Sequence, residues 1–160
     1  MKPKITIKTP WQFLASGFGA GLSPIAPGTM GTLAAMPIWW LMATYLPLAG
    51  YLAVTIVAFI VGITICQRAS DELGVHDHGG IVWDEFVGLW ITMICAPVSL
   101  PSAILGFILF RIFDVLKPWP IKFIDEKIEG GFGIMFDDVL AGIFALICMQ
   151  IIFIWIIPLF

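Results

Sequence analysis

Three stretches of this 160-residue chain, residues 9–67, 86–110 and 139–160, contain no Asp, Glu, Lys or Arg. Every charge is confined to the windows 2–8, 68–85 and 111–138. A charge at the centre of a bilayer costs about 2.5–3.5 kcal/mol on insertion scales, so long charge-free runs are what hydrocarbon demands. With 60% apolar and 12% charged residues, the composition lies far from that of a water-soluble domain. The expected fold class is therefore all-α, a polytopic membrane helical bundle forming a single domain over 1–160.

A spanning helix needs about 20 apolar residues. The run 9–67 is too long for one span and suits a lead-in segment followed by two helices, 31–46 and 51–66, with Pro47 and Gly50 marking the turn. The lead-in carries Lys2, Lys4 and Lys8 before an apolar patch broken by Gly17, Gly19 and Gly21. It reads as an interfacial segment anchored by Trp11 rather than a secretory signal. Pro97 and Pro101 in the second run favour a hairpin of two helices, 81–97 and 101–118, and 139–160 supplies a fifth.

Five spans with a cytoplasmic N-terminus place all eight Lys and Arg residues on the cytoplasmic side or at its membrane edge, as the positive-inside rule prefers. A single span over 86–110 would instead put Arg111, Lys117, Lys122 and Lys127 outside. The net charge of −3, with no basic run, gives no reason to expect a nucleic-acid partner. Cys66, Cys95 and Cys148 are odd in number and sit in or beside apolar runs, so they read as small apolar residues.

This topology gathers four polar clusters at one interface. Residues 17–33 form a Gly/Pro/Ser/Thr loop opening a helix, where free N–H groups at Gly28 and the hydroxyls of Ser23, Thr29 and Thr32 suit a phosphate. A tight turn whose glycines serve packing alone explains the same loop equally well. Asp84 and Glu85 enter an apolar helix, with Gly88 leaving room beside the carboxylate, and helix-dipole stabilisation is the plain alternative. Arg111, Asp114 and Lys117 share one arc of a helix, either as an internal ion pair or as a phosphate and metal site.

Asp137 and Asp138 open the last span, above a small face of Ala141, Gly142 and Ala145. Asp77, Asp84, Glu85, Asp114, Asp137 and Asp138 thus form a candidate oxygen-ligand set, suited to Mg²⁺ rather than Zn²⁺. His76 and His78 are expected to be solvated loop residues. A carboxylate-held Mg²⁺, Arg111, Lys117 and the Thr29 loop would suit attack by an activated water on a phosphomonoester, since no Cys-x₅-Arg or Asp-x-Asp arrangement is present.

Four motifs occur in order: Ser-Pro-Ile-Ala-Pro-Gly-Thr-Met-Gly at 23–31, Ile-Val-Trp-Asp-Glu-Phe-Val-Gly at 81–88, Phe-Arg-Ile-Phe-Asp-Val-Leu-Lys-Pro-Trp-Pro-Ile at 110–121, and Phe-Asp-Asp-Val-Leu-Ala-Gly at 136–142. Together they closely resemble the phosphatidylglycerophosphatase A family over about residues 11–142. The resemblance implies removal of the terminal phosphate of phosphatidylglycerophosphate in the bacterial inner membrane, with Mg²⁺ as cofactor and a site facing the cytoplasm. It carries over Gly28, Thr29, Asp84, Glu85, Asp114, Lys117, Asp137 and Asp138 as site residues, and Asp77 fits the pattern. Relatives commonly have Pro in place of His78, which weakens a catalytic role there.

Two other classes remain in view. A small ion transporter is opposed by the acids all lying near one face. A structural membrane subunit would need none of them.

Overall fold

The structure, a computed structural model, describes residues 5–157. The expected N-terminal cations Lys2 and Lys4, and the end of the fifth span at 158–160, lie outside the described residues. The described chain is helical with no strand. Its elements are α1 (Pro10–Ala15), a 3₁₀ turn (Ala20–Leu22), α2 (Pro27–Tyr45), α3 (Leu48–Leu73), α4 (Trp83–Thr92), α5 (Leu100–Leu116), α6 (Ile121–Lys127) and α7 (Gly130–Ile151), which continues as a π turn (Ile152–Ile156).

The boundaries follow local chemistry. Thr9 caps α1 by accepting from the Gln12 N–H at 3.2 Å, and Ser99 caps α5 by accepting from the Ser102 N–H at 3.3 Å. Pro27 occupies the first turn of α2, where its missing N–H costs nothing, so this helix begins four residues before the expected Gly31. The helix α3 runs seven residues beyond the expected Cys66, through its polar end, until Gly74 adopts φ 64°.

Two expectations need correction. The span 81–97 is replaced by the ten-residue α4, about 15 Å long at 1.5 Å per residue and half a bilayer core. Its chain leaves the helix through turns at 93–95, with Cys95 at φ 58° ahead of Pro97. The last helix begins at Gly130 rather than 139, so Asp137 and Asp138 lie two turns inside it instead of opening it. Two helices, Leu48–Leu73 and the continuous Gly130–Ile156, have the length and apolarity of a full crossing.

Short α4 is the axle of the bundle, contacting α2, α3, α5 and α7. All of its residues from Asp84 to Trp90 are buried. The expected small face of α7 meets it directly: a Cβ on Gly142 would lie 2.5 Å from the Gly88 carbonyl oxygen. Gly88 does not leave space beside the carboxylate; a Cβ there would meet the Phe110 ring at 2.5 Å and the Asp138 carbonyl oxygen at 2.9 Å. Polar ties complete the core, with the Trp90 indole donating to the Ala35 carbonyl at 3.1 Å and the Tyr51 hydroxyl to the Trp90 carbonyl at 2.6 Å.

The outside is apolar too. Ile56, Val57 and Ile60 on α3 and Ile147 and Ile151 on α7 are exposed. Only 28% and 22% of the most apolar windows of these two helices are buried, so most of each apolar surface lies on the outside of the bundle.

Candidate active site

A cavity of about 400 Å³ opens at the end of the bundle where α2 and α4 begin and α5 finishes. It is lined by Gly28 from α2, Asp77 from the loop after α3, Asp84 and Glu85 from α4, Arg111 and Asp114 from α5, Lys117 just beyond it, and Asp137 and Asp138 from α7. Residues separated by more than 100 positions are thereby brought together. The starts of α2 and α4 and the end of α5 meet at this face, and α7 adds Asp137 and Asp138 from two turns inside its length.

Six carboxylates against two cations give the lining a formal surplus of four negative charges. Four carboxylate oxygens, Asp84 Oδ1, Glu85 Oε2, Asp137 Oδ1 and Asp138 Oδ2, are buried without a hydrogen-bond partner among the described residues. Leaving buried ionised carboxylates uncompensated costs several kcal/mol each, so such oxygens are either protonated or matched by a cation. Within the set, Asp84, Glu85 and Asp138 each place an oxygen within 4.8 Å of the others. An all-oxygen donor group of this kind fits Mg²⁺.

Close approach sets the local detail. A Cβ on Gly28 would stand 2.5 Å from Glu85 Oε1 and 3.3 Å from an Arg111 guanidinium nitrogen, so a side chain here would displace the Glu85 carboxylate. No side chain among the described residues caps this end of α2, so the N–H groups of its first turn are not taken up by a side-chain cap. Arg111 pairs with Asp114 and stands 3.9 Å from Glu85. The Lys117 ammonium bridges Asp137 at 2.8 Å and Asp125 at 2.9 Å.

Several expected residues have other surroundings. Thr29 is not among the lining residues. Thr32 is buried and its hydroxyl donates to the Gly28 carbonyl of its own helix at 2.9 Å, so it serves the backbone rather than the cavity. The expectation that both histidines are solvated holds only for exposed His76, whose Nε2 accepts from the Gly130 N–H at 2.9 Å. His78 is buried and its Nδ1 accepts from the Gly80 N–H at 3.0 Å.

Asp125 is the polar partner that sequence reasoning missed. It lies eight residues beyond Lys117 across a Pro-Trp-Pro turn and on the short helix α6, and no sequence periodicity links the two.

Among known proteins, the family described as phosphatidylglycerophosphatase A matches residues 13–153. The phosphatidylglycerophosphatase A of Escherichia coli (strain K12) is 49% identical over 143 residues, covering 89% of this chain and 83% of that protein. The protein of the same name from Haemophilus influenzae is 46% identical over 153 residues, covering 95% and 94%. A relative from Bacteroides thetaiotaomicron, 37% identical over 86% of this chain and 90% of its own, has a provisional name for a different headgroup, phosphatidylinositol-3-phosphatase. No solved structure matches. With its acid-lined cavity assembled from the same segments that carry the four motifs, and with this similarity along nearly its whole length, the chain belongs to the phosphatidylglycerophosphatase A family of phosphatases.

Proposed function

We propose that this protein is a Mg²⁺-dependent phosphatidylglycerophosphatase, a single membrane-embedded domain releasing the terminal phosphate of phosphatidylglycerophosphate to leave phosphatidylglycerol. The observation that carries the reading is the cavity itself, where six carboxylates and two cations face one space at the end of an apolar bundle. A phosphomonoester could not enter a surplus of four negative charges unaided. Asp84, Glu85 and Asp138 would hold the metal, with Asp77, Asp114 and Asp137 around them. Bound there, Mg²⁺ would neutralise phosphate oxygens and make an attacking water more acidic.

The chain's own groups do the rest. Arg111 and Lys117 bind the phosphate oxygens, and Lys117 is kept in register by Asp125 and Asp137. Gly28 admits the headgroup close to Glu85 and offers the N-terminal end of α2 to an oxyanion. Water attacks phosphorus in line with the glycerol oxygen. The P–O bond to glycerol breaks, the water's proton passes to a cavity carboxylate, and the protonated carboxylic acid so formed returns a proton to the leaving glycerol oxygen. A single displacement inverts configuration at phosphorus, so a chiral thiophosphate analogue should yield inverted product; net retention would instead require a phosphorylated carboxylate.

In this reading α2, α3, α4, α5 and α7 are embedded in the bacterial inner membrane, with the cavity facing the cytoplasm. The support is the clustering of the described cations Lys8, Arg68, Arg111, Lys117, Lys122 and Lys127 in the segments at the cavity end. The transport alternative is disfavoured because no Asp, Glu, Lys or Arg occurs in 86–110 or 139–157 to continue a path. The test is phosphate release by purified protein from phosphatidylglycerophosphate and from phosphatidylinositol 3-phosphate, each in phosphatidylcholine vesicles. Preferential release from the first is expected. Release from neither would remove the phosphatase reading, and preference for the second would change the headgroup.

A further inference from the structure

The reading as a lipid phosphatase leaves open how a substrate with two acyl chains brings its headgroup to a recessed cavity. The helix α5 supplies an answer in its exposed face. Ile104, Ile108 and Ile112 recur every four residues, followed by Val115 one turn on, and their exposures are 53%, 48%, 44% and 65%. The opposite face, with Ala103, Gly106 and Phe110, is buried. The result is a continuous stripe of branched aliphatic side chains.

Exposed apolar stripes also run along α3 and α7, as expected for helices in hydrocarbon. The α5 stripe differs from those of α3 and α7 in where it ends, and it shares the cavity with the start of α2, where Ala26, Pro27 and Gly28 line the same space near exposed Met30 and Leu33. Val115 is exposed and also lines the cavity, whose lining includes Asp114, Pro27 and Gly28. No α3 residue lines the cavity, and the two α7 residues that do, Asp137 and Asp138, are buried. From Ile104 to Val115 the helix rises about 16 Å, roughly half of a ~30 Å hydrocarbon core and hence one leaflet. The stripe therefore matches a lipid whose headgroup sits at the cavity and whose chains run toward the midplane.

We propose that one acyl chain of the substrate lies along Ile104, Ile108 and Ile112, and that the headgroup enters the cavity sideways from the membrane across Val115. This rests on the lipid-phosphatase reading. Because lipid tails are as apolar as the stripe, the track supplies orientation and not a hydrophobic gain in affinity. It holds the phosphate in reach of Arg111 and Lys117 at no cost in polar contacts.

Two measurements test it. Ile108→Trp and Ile112→Trp fill the track with bulk below the cavity. Each is assayed with long-chain phosphatidylglycerophosphate in phosphatidylcholine vesicles and with a dibutyryl analogue dissolved as monomers. The expected result is a fall in kcat/KM of at least about fivefold on the long-chain lipid and under about twofold on the short one. Equal losses on both, or none on either, would overturn the track.

Should the variants not fold, wild-type protein held inactive in EDTA in phosphatidylcholine vesicles is photolabelled instead. The probes are phosphatidylglycerophosphate bearing a diazirine in its acyl chain and phosphatidylcholine bearing the same chain. Enrichment of the first over the second on residues 104–116 is expected, and equal labelling of that segment by the two probes contradicts the proposal. Wild-type hydrolysis of the dibutyryl analogue tests the phosphatase reading separately, so the two can fail independently.

Discussion

Asp84 is the residue on which the site turns, because its buried oxygen has no partner among the described residues and its neighbours Glu85 and Asp138 offer two more within 4.8 Å. Asp84→Asn keeps the size and loses the charge that would hold a divalent cation. It should cut phosphate release at least about a hundredfold while leaving membrane insertion and yield unchanged; near-wild-type turnover at saturating Mg²⁺ would remove Asp84 from the ligand set. Gly28→Ala would bring a methyl group to 2.5 Å from Glu85 Oε1 unless that carboxylate moves, and its displacement should lower kcat about tenfold or more. Thr32→Val separates two roles for the hydroxyl. Its bond goes to the Gly28 carbonyl, so a change of less than about twofold in KM is expected, because a polar contact to substrate would cost more.

At the scale of helices, the site depends on how closely α4 and α7 approach. A Cβ on Gly142 meets the Gly88 carbonyl at 2.5 Å, and backbone cannot swing aside as a flexible side chain can. Gly142→Ala should therefore destabilise the protein by roughly 1–3 kcal/mol and lower activity in parallel, since Asp84 and Asp138 ride on the two helices being separated. Thermal unfolding in detergent, followed alongside turnover, checks it; unchanged stability would mean that the helices are not in such contact.

The small residues of α7 were legible from spacing, as were the charge-free runs that became α2, α3, α5 and α7. The helix α4 was not. Its apolar pattern continues past Thr92, and only the turn ending at Cys95 before Pro97 shortens it. The early start of α7 was hidden for the opposite reason. Asp137 and Asp138 look like a helix opening, yet inside the fold the Lys117 ammonium and the cavity let them sit two turns within it. Among site residues, the four motifs contain Gly28, Asp84, Glu85, Arg111, Asp114, Lys117, Asp137 and Asp138, which share the cavity, and Thr29, which does not, whereas Asp125 needed the fold of α6 over Lys117 to be seen.

For the whole molecule, the polar cavity and the described cations belong to one end of an otherwise apolar bundle. A single Cys at Glu129 in a Cys-free background should resist an impermeant thiol reagent in intact cells, while one at Pro47 should react; labelling at Glu129 from outside would invert the orientation. The central claim is that one acid-lined cavity performs metal-dependent phosphate release, and the most direct measurement is inorganic phosphate freed from phosphatidylglycerophosphate vesicles as Mg²⁺ is removed with EDTA and returned. Wild-type protein should lose its activity on chelation and regain it with Mg²⁺, while Asp84→Asn and Asp138→Asn protein stays inactive throughout. Phosphate release that persists in EDTA, or that survives both substitutions, would contradict the account.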